Sequence, residues 1–262
     1  MAKFQCSQCG QCCARIRGII PDDEKEFLKK YAYGKLPLIQ LFPIERMSFP
    51  LFDFEAKRFR EWEKEVNINA KIMPSRVILD QNSGKSIIVT YYMDYDSCPF
   101  LNDNKCLIYH RKRAFICRLF PFNKGPFLKT GEEFKVEDMF GSCPSIKDIL
   151  PGLKDKKQKE LVNQLQESFG ENFLNIIEYD HLTEWVNKLI IDLVKEGKIR
   201  PAMNLPYKYL LRRVIGSEKI DLMDFLIEKK IKTPEEIESL INRFDNNIDA
   251  EEKLKEFLGE DI

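Results

Sequence analysis

Four of the eight cysteines lie inside one eight-residue stretch, CSQCGQCC, as Cys6-x2-Cys9-x2-Cys12-Cys13. A segment of thiols, glutamines, serine and one glycine has little to bury, so it cannot nucleate an apolar core of its own. It can bring sulfurs together: two residues between cysteines let both thiolates reach one ion, at about 2.3 Å for zinc. Thiols packed this closely near the start of the chain constrain the rest to fold back around them. The sulfurs available to close such a site are Cys98, Cys106, Cys117 and Cys143.

Cys9-Gly10 has the form of a metal knuckle, because glycine accepts the positive φ that turns backbone N–H groups toward sulfur. Cys6, Cys9 and Cys12 repeat the two-residue spacing of three cysteines in a ferredoxin-type run. The spacing therefore admits two cofactors, an iron–sulfur cluster of the 4Fe–4S kind and zinc. On an extended backbone the side chains of Cys12 and Cys13 point to opposite sides, which predicts two sulfur-lined sites of four thiolates each. Buried or disulfide-bonded cysteines are the competing account. No apolar leader segment occupies the N-terminus, so a reducing cytoplasm is expected, where clustered cysteines are metal ligands or redox groups before they are disulfides.

Lysine plus arginine and aspartate plus glutamate number 42 each, giving zero net charge. That balance removes a general electrostatic attraction to nucleic acid or to an anionic membrane. The most apolar stretches, SIIVTYYM and LIIDLV, fall well short of the ~18 residues a membrane helix needs, so a soluble chain with no membrane partner is expected. A hydrophobic content of 44% is enough to build a core.

Helices are predicted from Ile20-Pro21-Asp22-Asp23-Glu24 to Gly34 and over Asp53 to Val66, with Pro37, Pro43 and Pro50 excluding long regular structure between them. SRVILD and SIIVTYYM, rich in β-branched and aromatic residues and separated by Gln81 to Lys85, predict a β-hairpin that delivers the chain to the later cysteines. Beyond Pro151 there are no cysteines and the pattern turns helical. Thr233-Pro234-Glu235-Glu236 there has capping-box spacing with proline at the first helical position. The expected fold is α+β: an irregular cysteine-rich metal-binding domain over residues 1–150, with a hairpin and helices, followed by an all-helical part over 151–262.

At this point the chain resembles a family, the cysteine-cluster proteins with a zinc- or iron-chelating CxxCxxCC domain, the YkgJ-like group, to which flagellin lysine N-methylases are related. The resemblance is carried by Cys6-x2-Cys9-Gly10-x-Cys12-Cys13, Cys98-Pro99-Phe100-Leu101, Cys106-x-Ile108-Tyr109 and Cys117-Arg118-x-Phe120-Pro121. It spans about the first half of the chain, with Arg113-Ala114 standing where the family usually has Arg-Pro. It implies metal or cluster binding through these cysteines. The methylase relation implies S-adenosylmethionine as a further cofactor and a protein lysine as substrate. No GxGxxG follows a strand and no CxxxCxxC is present, so the residues themselves carry no methyltransferase signature.

Arg118 directly follows a proposed ligand, where a guanidinium would offset thiolate charge, tune a potential or orient a carboxylate substrate. Tyr109, Phe120 and Phe122 are expected to shield the sulfurs. His110, between Cys106 and Cys117, and His181 could ligate zinc or iron, but eight thiols make them unnecessary. Arg111-Lys112-Arg113 reads as a solvated basic face. No catalytic residue is assigned. Two classes of function follow: a redox or structural module with a protein redox partner, or an enzyme acting on a protein side chain. A nucleic-acid module is disfavoured by the charge balance.

Overall fold

In the computed structural model the described residues are 2–17, 36–43, 46, 48–123, 125, 136–203 and 205–259. The helix expected from Ile20 lies outside them. The chain divides into two compact units that interleave along the sequence: a first unit of Met1–Cys12, Asp103–Glu184 and Ser239–Ile262, and a second of Cys13–Asn102 and Trp185–Glu238. The elements are α1 (Gln11–Ala14), β1 (Ile39–Gln40), β2 (Leu51–Phe52), α2 (Asp53–Glu65), β3 (Ile72–Leu79), β4 (Ser86–Met93), β5 (Leu101–Asn102), β6 (Lys105–Cys106), α3 (Phe115–Arg118), α4 (Gln158–Phe169), α5 (Glu171–Lys195), α6 (Tyr207–Gly216), β7 (Lys219–Asp221), α7 (Leu222–Glu228), α8 (Pro234–Asp245) and α9 (Ile248–Leu258). Short 3-10 turns occupy Val136–Met139, Pro144–Ile146 and Leu150–Leu153. The α+β class holds.

The second unit is built on the expected hairpin. β3 and β4 pair antiparallel, with Ile78 opposite Ile87 and Leu79 opposite Ser86. Asp80 closes the turn between them by accepting from the backbone of Asn82 and Ser83. β1 adds to the far edge of β3, while β2 and β7 both pair with β4. Flanked on both edges, β4 is buried along its whole length, which is why its sequence is a continuous apolar run rather than an alternating one. α2 begins at Asp53, as predicted, and buries Phe54, Phe59 and Trp62. Asp53 accepts hydrogen bonds from the N–H groups of Phe54 and, at the start of α7, Met223, each at 2.8 Å. Burial pushes its carboxyl up to about 6.

An apolar cluster in the first unit includes Leu119, Phe122, Phe140, Leu165, Phe169 and Phe173. Its helices are α4, the first part of α5 and α9. The region after Pro151 is helical apart from one element: Lys219–Asp221 is a strand parallel to β4, which corrects the all-helical expectation. Three residues are too few to show a period of two, and the edge of β4 decides their conformation. The Thr233 capping box forms as written, with Thr233 N–H donating to Glu236 at 2.7 Å and Glu236 N–H to Thr233 Oγ1 at 3.2 Å. Among the described residues no helix is long and apolar enough to cross a membrane.

Glu178 of α5 accepts from Ala250 N–H at 2.8 Å and so caps the N-terminus of α9. It is fully buried, and burial, followed by the nearby Asp249 carboxylate, pushes its carboxyl up to about 8. A proton on Glu178 is therefore bound more tightly in the folded chain than in the unfolded one. Stability contributed this way is complete below the ordinary carboxylate range and is lost as pH rises toward 8. Glu178→Gln keeps the acceptor and removes the charge. Urea unfolding of both proteins at pH 5 and pH 8 should show the variant's stability falling less over this interval, by about 1–3 kcal/mol.

Candidate metal centre

All eight cysteines are described and none forms a disulfide. Cys6, Cys9, Cys12, Cys106, Cys117 and Cys143 belong to the first unit, Cys13 and Cys98 to the second. Each is placed by a local device. In the first unit, Phe4 N–H donates to the Ser168 carbonyl at 2.7 Å and the Phe4 ring packs 5.4 Å from Phe169, fixing the chain two residues before Cys6. Gly10 takes φ +74°, the left-handed turn expected of the Cys9-Gly10 knuckle. Cys117 sits in α3, whose exit is clamped by Asn172: one amide Nδ2 donates to the carbonyls of Arg118 at 2.7 Å and Phe120 at 2.8 Å. Cys143 is packed against the same apolar cluster. Its segment is tied to the Cys117 segment through Asn123 N–H to Met139 and Gly141 N–H to Pro121. Cys106 ends β6 and opens a turn closed by Tyr109 N–H at 3.2 Å.

The backbone at Cys12-Cys13 is helical, within α1, not extended. The two side chains are about 100° apart around a helix instead of on opposite faces, which corrects the geometric basis for two opposed sites. Cys13 lies beside Cys98 in the second unit: Cys98 N–H donates to the Cys13 carbonyl at 2.7 Å, and Ile16 N–H to Asp96 at 2.8 Å.

The electrostatics of the first unit link thiols far apart in sequence. Burial pushes the Cys106 thiol up, with Cys12 and Cys6 adding to the rise and Arg113 opposing it. Burial likewise raises Cys143, with Cys9 and Cys6 adding to the effect. Cys6 is common to both groups. The Tyr109 hydroxyl is raised by burial first and then by Cys6, which it also meets in a hydrogen bond. Among the described residues no three His, Cys, Asp or Glu groups stand close enough to hold a metal ion as they are. The donor chemistry nonetheless fits one. Several thiols close enough to oppose one another's ionisation are relieved by a bound cation, and soft sulfur selects zinc or iron over hard cations.

Arg118 is part-buried and engaged within the protein. Its Nε donates to the Arg113 carbonyl at 2.9 Å, Nη2 lies 3.6 Å from Asp245 Oδ1, and the guanidinium stacks 4.2 Å over Phe115. Arg113 lies 4.4 Å over Tyr109. Cys6, Cys12, Cys117, His110 and Arg118 all line one cavity of about 570 Å³. His181 is elsewhere in the unit, 6.4 Å from Phe244. The same cavity takes Glu171, Asn172 and Asn175 from α5 and Asp245, Asn246 and Asn247 from between α8 and α9. Sequence reasoning missed these. The available signal was a polar opening, Glu171-Asn172-x2-Asn175, at the start of α5, and an Asp-Asn-Asn junction.

Phe4, Phe122 and Phe140 pack around Phe169 and belong to the segments of Cys6, Cys117 and Cys143. Phe169→Ala should lower stability by about 3–5 kcal/mol. In protein that remains folded, it should speed alkylation of Cys143, which packs against that cluster, under native conditions, read by mass spectrometry of iodoacetamide-treated samples.

A family model described as "CxxCxxCC: Putative zinc- or iron-chelating domain" matches residues 5–144. None of the curated proteins and none of the solved structures matches the chain.

Proposed function

We propose, from the premise that this chain belongs to the CxxCxxCC family of zinc- or iron-chelating domains, that the first unit holds an iron–sulfur cluster through thiolates drawn from Cys6, Cys9, Cys12, Cys106, Cys117 and Cys143, and serves as a redox or structural module. The observation that carries this is that Cys6, Cys12 and Cys117 line one cavity although more than a hundred residues separate Cys117 from the other two, with Cys6 also adding to the burial-driven rise of Cys106 and Cys143. A local finger closes on ligands near one another in sequence. Here one folded unit carries sulfurs from widely separated parts of the chain. The two-residue spacing of Cys6, Cys9 and Cys12 favours the cluster over zinc.

When bound, such a cluster supplies one-electron transfer, at a potential set by its net charge, hydrogen bonding and solvent exposure. The chain's own residues govern those quantities. Arg113 opposes the charge of Cys106, Tyr109 meets the Cys6 sulfur, and the part-buried positions of Cys106, Cys117 and Cys143 limit water. A protein that carries electrons in this way exchanges them with a protein partner.

Purification without oxygen, followed by assay of iron, acid-labile sulfide and zinc with a visible spectrum, tests the reading. Iron with equimolar sulfide and a brown protein are expected, whereas a colourless protein with stoichiometric zinc would return the site to zinc. Cys6→Ser should lose most of the metal and Cys13→Ser should retain it. Full metal content in Cys6→Ser would remove the first-unit thiols from the site.

A further inference from the structure

The 42 cations and 42 carboxylates of the chain are not evenly placed. Between Glu196 and Glu218 stand Lys198, Arg200, Lys208, Arg212 and Arg213, with no carboxylate among them, and all five are exposed. Other cations of the same unit are neutralised locally: Lys57 lies 2.8 Å from Asp224 and Lys85 2.7 Å from Glu228. Lys208, Arg212 and Arg213 have no such carboxylate among the described residues.

α6 carries these three cations, and burial fixes which way it faces. Leu210 and Val214 are buried and set its inner side. At about 100° per residue, Lys208 and Arg212 then fall together on the outer side, between Ile215 and Tyr209. Ile215 is 74% exposed, Tyr209 58% and, just before the helix, Met203 53%. A groove of about 80 Å³ runs beside the helix, lined by Leu36, Leu38, Met203, Tyr207 and Leu210. It has several times the ~10–15 Å³ that one water needs, room for the end of an apolar side chain. The Tyr207 hydroxyl donates to the Gln40 carbonyl of β1, which holds the ring as one wall of the groove.

Exposed tyrosine, methionine and arginine without carboxylates make up the composition of a protein–protein contact, and a side-chain-sized groove beside them is where such contacts place an anchor. A nucleic-acid backbone offers phosphates but no aliphatic group to cover Ile215 and Met203, and lipid headgroups do not fill an apolar groove. A carboxylate, by contrast, accepts from a guanidinium at two points. We propose that α6 and the groove beside it form a docking surface for an acidic segment of a partner protein. Its carboxylates accept from Lys208, Arg212 and Arg213, one apolar side chain enters the groove, and others cover Tyr209 and Ile215. The surface lies wholly in the second unit and is independent of which metal the first unit holds.

The test uses the full chain and fluorescence anisotropy, with metal content assayed on the same sample so that failure of the metal reading is seen separately. The probe is a fluorescein-labelled peptide of alternating glutamate and leucine, about three helical turns in length. Its controls are the same peptide with glutamine for glutamate, an all-glutamate peptide, phosphatidylserine-containing vesicles and an oligothymidylate. The glutamate–leucine peptide should bind at least tenfold more tightly than either control peptide, and its affinity should fall as ionic strength rises and screens the charges. The double variant Arg212→Glu with Arg213→Glu should bind it at least tenfold more weakly, and Ile215→Ser several-fold more weakly. All three positions are exposed, so Tm and metal content should stay at wild-type values. Absence of peptide binding, with or without binding to the vesicles or the oligonucleotide, would overturn the proposal. So would equal binding of the glutamine form, or wild-type affinity in the charge-reversed variant.

Discussion

One ring from the helical part of the chain gathers the cysteines. Phe169, at the end of α4, packs 5.4 Å from Phe4, 4.9 Å from Phe122 and 5.3 Å from Phe140. Those three residues precede Cys6, follow Cys117 and precede Cys143, respectively, by two to five positions. Sulfur-bearing segments that are polar and irregular could not choose their own positions. Each carries a phenylalanine near its thiol, and burying that ring against a shared one helps set where the thiol goes. The placement of these three thiols thus depends on a helix that contains no cysteine.

The arrangement also governs the charge around the sulfurs. Burial holds Cys106 and Cys143 toward the thiol form, and the thiols raise one another further. A metal reverses this balance, because a coordinated thiol is deprotonated outright. The same low-dielectric surroundings that penalise bare thiolates strengthen their attraction to a cation. Arg113, over Tyr109, opposes the rise at Cys106, while Arg118 is engaged with Phe115, the Arg113 carbonyl and Asp245.

Much of this was legible in the sequence where a signal was long or chemically distinctive. The β3–β4 hairpin, the start of α2 at Asp53, the positive φ at Gly10 and the reciprocal cap at Thr233 each follow from residues that allow few alternatives. What escaped was decided by neighbours distant in the chain. Cys12-Cys13 reads as extended from its place in a loop, but α1 gives it one helical turn. Lys219–Asp221 is a strand because β4 has an open edge. The cavity's far wall comes from α5 and the α8–α9 junction, where Asn175 and Asn247 look like ordinary helix and turn residues until burial is known. The change of composition at Pro151 marks where cysteines stop, while the compact units interleave across it.

That interleaving has a consequence in time. The chain is synthesised from its N-terminus, at about 5–20 residues per second, so Cys6, Cys9 and Cys12 emerge first. Residues 239–259, which include Asp245, Asn247 and the α9 helix of the same unit, emerge more than two hundred residues later. Until they arrive, the unit that carries the early thiols lacks the side formed by α9, so its completion waits on residues far from those thiols in the chain.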